Sequence, residues 1–149
     1  MLRPLVAASV LALAASGAQA EPVILDRLEA FLVHSGDGKL SEDLIATQPA
    51  LWNTVIGEGG SGGRADDVLL IAHFKTALQA KKPDHPSITV TDKDGKPVLA
   101  MKNFALTFVG EEDASKAFLL RDVTCRHLKI VITAGQRKWN NEIPFACGE

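Results

Sequence analysis

The sequence predicts a mainly β chain, an antiparallel β-sandwich with a short N-terminal helical segment, and three observations lead there. About eight short apolar or alternating runs recur between residues 51 and 147, with turn signals every eight to fifteen residues or so. That spacing favours a sandwich or barrel over alternating βαβ units. Apolar residues make up 46% of the 149 and charged residues 23%, ordinary globular composition that excludes disorder. The two cysteines, Cys125 and Cys147, bracket the last two runs as the ends of a hairpin would.

The N-terminus reads as an export signal. Met1-Leu2-Arg3 supplies a positive start, Leu5 to Ala15 is unbroken Ala, Val, Leu and one Ser, and Ala18-Gln19-Ala20 is a small-x-small cleavage site. Residues 1–20 are expected to be removed, leaving a single β-rich domain over 21–149. The apolar run is shorter than the ~20 residues that span a bilayer, and no transmembrane segment is expected after removal. The alanine-rich signal points to a periplasmic or secreted product. No cysteine follows the cleavage point, which disfavours a lipid anchor.

In an oxidising compartment, two thiols predict one disulfide, Cys125 to Cys147, closing a loop of about 23 residues. Its midpoint is residue 136, inside Ala134-Gly135-Gln136-Arg137-Lys138, so the pair clamps the open end of a hairpin. With no Cys-x-x-Cys, the pair is structural rather than redox-active, and two cysteines alone are a poor metal site.

Along the mature chain, Ile24, Leu25, Leu28, Phe31 and Leu32 fall at helical spacing, with Gly36 and Gly38 as a stop. Ser41-Glu42-Asp43 opens a second short helix, with a hydroxyl to cap and acids near its positive end, and Pro49 limits it. Leu51 to Ile56 counts as a strand. The loop Gly57 to Gly63 holds five glycines in seven residues. Val68 to Ala80 is β-like in composition, although its periodicity also admits a helix. Ile88-Thr89-Val90-Thr91, the turn Asp92 to Pro97, and Val98 to Met101 make a hairpin. Phe104 to Val109 pairs with Ala117 to Val123 around an acidic turn, and Leu128 to Thr133 pairs with Glu142 to Cys147.

In strand count and spacing this loosely resembles an immunoglobulin-like sandwich. The resemblance is to an architecture and not to a family. The cysteines lie too close together for the usual bridge between sheets, and a chain without tyrosine forms no tyrosine corner.

Motifs for chemistry are incomplete. Gly57-Glu58-Gly59-Gly60-Ser61-Gly62 has the letters of a dinucleotide loop, but a strand-like run follows where a helix is required, and Glu58, Asp66 and Asp67 would oppose a phosphate. A flexible loop, serving as a lid or a partner contact, is expected there. Asp92-Lys93-Asp94-Gly95 begins like a calcium loop but has no later bidentate Glu, so a hairpin turn is expected. His34, His73, His85 and His127 show no metal spacing, and His73, in an apolar run, reads as a satisfied interior residue. No catalytic, cofactor or metal site is assigned.

Arg137, Lys138 and Trp139 are the candidate partner contact, because Trp and Arg concentrate binding energy and these fall at the expected hairpin tip. Trp52, among apolar neighbours, reads as core. The formal charge of −2 becomes −3 without Arg3, which argues against nucleic acid. The expected function is a non-catalytic periplasmic binding or accessory module for an unknown protein or small ligand. The alternatives are a small-ligand or ion carrier with the glycine loop as a lid, and a small hydrolase or lyase built from carboxylates and His73, His85 or His127.

Overall fold

The computed structural model describes residues 23–76, 85–110 and 112–148. The expected signal at 1–20 lies outside them. The described chain is mainly β. Its eight strands form two four-stranded antiparallel sheets, β1-β2-β6-β5 and β4-β3-β7-β8.

The first strand, β1 (Val23–His34), occupies the stretch whose spacing predicts a helix. A register shift between Leu25 and Arg27 explains the mismatch. The bulge inserts one residue, so the buried positions run Val23, Leu25, Leu28, Ala30, Leu32, and one i+3 step mimics a helical period. β2 (Ala65–Thr76) lies between β1 and β6 (Asp113–Leu120), with Leu28 opposite Ala72 and Leu70 opposite Phe118. The helical option for 68–80 is thus excluded as far as Thr76, and residues 77–80 lie outside the described ones. β5 is only Phe108–Val109, since Phe104 turns inward as core, and its partner strand spans Asp113–Leu120 instead of the expected Ala117 to Val123. β6 is therefore an open edge beyond Ala114, where Lys116 sits on the inward face as a charge that discourages further pairing.

In the second sheet, β3 (Ser87–Thr91) pairs with β4 (Pro97–Met101) and with β7 (Leu128–Ala134), and β7 pairs with β8 (Arg137–Ile143). Asp92 closes the β3–β4 turn: its Oδ1 accepts the amides of Asp94 and Lys96 at 3.0 and 2.9 Å. The β7–β8 turn is Gly135-Gln136, with Gly135 at φ 56°, the glycine-first pattern of a two-residue hairpin loop, and this tight turn starts the second strand at Arg137 and ends it at Ile143, in place of the expected Glu142 to Cys147. Inward residues of both sheets form one cluster, where Phe104 meets Phe74 and Phe118 edge-on at 6.0 and 5.4 Å between centroids.

Residues 35–64 join β1 to β2 across one end of the sheets. Their one α-helical turn, α1 (Leu44–Thr47), is capped by Asp43 rather than by Ser41, whose hydroxyl accepts the Leu32 amide instead. Leu51 to Ile56 is not a strand. Trp52 makes a single bridge to Ala146, and Thr54–Ile56 is a 3-10 turn, with Asn53 in the left-handed region at φ 48° breaking the extended run.

Candidate functional site

β8 carries the three candidate residues, which run from the tip of the β7–β8 hairpin into the strand. Arg137 is its first residue and Trp139 its third, opposite Ile132. Alternation sends Arg137, Trp139, Asn141 and Ile143 to the inner face, and Lys138, Asn140 and Glu142 to the outer one. Trp139 is accordingly half-buried and packs on the core cluster. Arg137 thus shares the face of the indole, and Lys138 lies on the opposite one.

The edge of β8 is open on the side away from β7. A two-residue turn makes Ala134 and Arg137 a hydrogen-bonded pair, so Ile132/Trp139 and Ile130/Asn141 are bonded pairs too. The backbone N–H and C=O groups of Lys138, Asn140 and Glu142 therefore aim outward along the edge. At its far end the strand meets a groove of about 270 Å³ between α1 and the β8 exit. Leu44, Ile45, Leu51 and Ile143 give it an apolar floor, and Gln48, Asn141 and Glu142 a polar rim. Electrostatics differ along the edge. Glu142 bonds His127 at 3.1 Å, whereas neither Arg137 nor Lys138 makes an ion pair among the described residues.

On the outer face of the other sheet, three residues from three strands converge. His73 Nε2 lies 2.8 Å from Glu29 Oε2, and His73 Nδ1 lies 2.8 Å from Ser115 Oγ. His73 is therefore satisfied, as expected, but on a half-buried outer face and not in the interior. The bond from His73, reinforced by Arg27, holds the Glu29 carboxyl below its ordinary range against the opposing effect of desolvation. Sequence reading had no means of finding Glu29 and Ser115, which lie 44 and 42 residues from His73. Strand register alone brings them together.

The glycine loop is pinned and not a free lid. Gly60 N–H donates to Ala50 O at 2.7 Å, buried Ser61 donates to Glu58 O at 2.9 Å, and His34 Nε2 meets Ser61 O at 3.0 Å. A Cβ on Gly59 would lie 2.6 Å from Ala50 O, so the chain passes where only glycine fits. The same packing leaves the Trp52 side chain outside. Trp52 is 48% exposed, a correction to its reading as core, because the bridge to Ala146 fixes its backbone while Leu51 turns in. Cys125 and Cys147 form the expected disulfide, Cα atoms 5.1 Å apart, at this end of the molecule.

Among the described residues, no three His, Cys, Asp or Glu side chains gather in a metal-binding group, and no helix is long and apolar enough to cross a membrane. His85 and Ser87 border an open hollow with Asn103, Thr133 and Gly135, beside the β3–β7 pair and not on the sheet that carries His73. Comparison with family models, curated proteins and solved structures finds no match to the chain.

Proposed function

We propose that the chain is an exported binding or accessory module, loosely immunoglobulin-like, that captures an extended protein segment along the open edge of β8. The observation that carries this reading is the edge itself. Seven residues pair on one side only, and outward backbone groups at Lys138, Asn140 and Glu142 repeat at strand spacing. An added strand would satisfy those groups, and its alternate side chains would select the partner. Arg137 and Lys138 at one end and the apolar groove at the other favour a segment with an acidic side chain followed, several residues away, by an apolar anchor.

Strand order supports the immunoglobulin-like reading. Lettering the strands in chain order as A, B, C, C′, D, E, F and G gives ABED against C′CFG. The disulfide differs from the usual one, since it closes the open ends of F and G. Support for export comes from the N-terminal signal pattern and from a disulfide whose two cysteines are both exposed.

The test is panning of a displayed library of linear peptides on the mature chain, residues 21–149, in parallel with Asn140→Pro. Proline at an outward-facing amide blocks an added strand and leaves the β7 ladder intact. Enrichment of acidic–apolar peptides on the parent alone is expected. Equal enrichment on Asn140→Pro, or none on either, contradicts the reading.

A further inference from the structure

We propose that Ser115 is a nucleophile, with His73 as its general base and Glu29 positioning that base, and that the outer face of the β1-β2-β6 sheet accepts carboxylic esters with apolar acyl groups. The proposal is independent of the β8 edge and concerns the opposite sheet.

The geometry fixes the direction of proton flow. His73 and Ser115 stand directly opposite in the β2–β6 ladder, while Glu29 reaches His73 diagonally from its place opposite Ile71. An ionised Glu29 accepts a hydrogen bond from His73 Nε2–H. In the neutral ring this leaves the lone pair on Nδ1, 2.8 Å from Ser115 Oγ, to accept the hydroxyl proton. The Glu29 carboxyl is held in its charged form by that same bond.

The surroundings choose the substrate class. Ala117 and Leu119 follow Ser115 on the same face of β6, and Ile71 and Leu69 lie opposite them on β2. Leu119 is 48% exposed, so an apolar strip begins beside the nucleophile. The other side of Ser115 is an open hollow of about 500 Å³ bordered by Asp26, Arg27, Lys75 and Asp113, all charged. An acyl chain lies on the strip, and a polar alcohol leaves through the hollow.

In the first step Ser115 Oγ bonds the ester carbonyl carbon as its proton passes to His73 Nδ1. The C–O bond to the alcohol then breaks, and the leaving oxygen takes that proton. In the second step a water oxygen attacks the acyl carbon while its proton passes through Nδ1 to Ser115 Oγ, releasing the acid. Substrate and water are the only reactants consumed.

The test combines covalent labelling of the disulfide-intact chain by a fluorophosphonate, mapped by peptide mass spectrometry, with turnover of p-nitrophenyl butyrate. Phosphonylation at Ser115 is expected. Ser115→Ala should abolish the label and lower turnover by about a hundredfold or more, the usual contribution of base-assisted attack. Glu29→Gln should retain labelling at high pH and move the midpoint of the pH–rate profile, which a purely structural role would not do. Leu119→Lys should reduce butyrate turnover more than acetate turnover. An unlabelled Ser115 in the parent chain, or Ser115→Ala turning over at the parent rate, overturns the proposal, and the parent labelling decides even where a variant fails to fold.

Discussion

Asp43 Oδ1 accepts the backbone amide of Ala30, in the middle of β1, at 2.9 Å. The same oxygen accepts the amide of Ile45 at 3.0 Å and so caps α1. One carboxylate thus ties the first helical turn to an edge strand, and with it the α1 wall of the groove beside β8.

Asp43→Ala should therefore cost more than a surface cap. Two amides lose their acceptor, and about 2 kcal/mol is expected where a single cap is worth ~1. Urea denaturation at pH 7 measures it. Asp43→Asn, which retains an acceptor oxygen, should recover much of the loss.

The glycines divide by what surrounds them. Gly59 stands at φ 67° with Ala50 O 2.6 Å from where a Cβ would lie, and Gly60 has Pro49 Cβ at 2.7 Å. Gly36 has nothing within 4 Å and an ordinary φ. Replacement of Gly59 or Gly60 by Ala should destabilise the fold by about 1–3 kcal/mol. Gly36→Ala should be neutral or slightly stabilising, because it restricts the unfolded chain. Thermal melts of the three variants give the order directly.

The Cys125–Cys147 disulfide closes 22 residues of separation at the end where Ala146 N–H donates to Leu51 O and Asn53 N–H to Ala146 O. Removing it as the double Ala variant should lower stability by about 3 kcal/mol on the chain-entropy account. The loss should appear first around Trp52, read as a shift in tryptophan emission ahead of the global transition.

Glu29 gives the fold a specific acid sensitivity. Its folded pKa lies below the unfolded value, chiefly through the His73 hydrogen bond, so its contribution is present above the ordinary Glu value of about 4.3 and is lost as pH falls through the folded one. Stability measured from pH 6 down to pH 3 should decline less steeply in Glu29→Gln than in the parent. Parallel curves for the two would contradict the assignment.

The β3–β4 hairpin was legible in the sequence because its turn, Asp92 to Pro97, carries its geometry in its own residues, whereas the last hairpin was located but its second strand, expected over Glu142–Cys147, runs Arg137–Ile143. β1 was not legible, because its bulge at Leu25/Arg27 is visible only against β2 and gives the apolar residues a helical step. Trp52 misled for a related reason. Its apolar neighbours suggest a core, whereas alternation buries Leu51 and exposes the indole. At the candidate sites, residue types in β8 could be singled out, but not the fact that Trp139 packs inward while Lys138 faces out. The Glu29–His73–Ser115 cluster depends wholly on register across three strands, which no spacing along one strand encodes.

The proposed pairing of an added strand with the open β8 edge is read in residue-resolved amide hydrogen exchange on residues 21–149, alone and with a peptide enriched in panning. Slow exchange at Trp139 and Asn141 with fast exchange at Lys138, Asn140 and Glu142 is expected in the free chain, and protection of all five in the complex. Equal protection of the five amides in the free chain, or an unchanged alternation in the complex, would contradict the account.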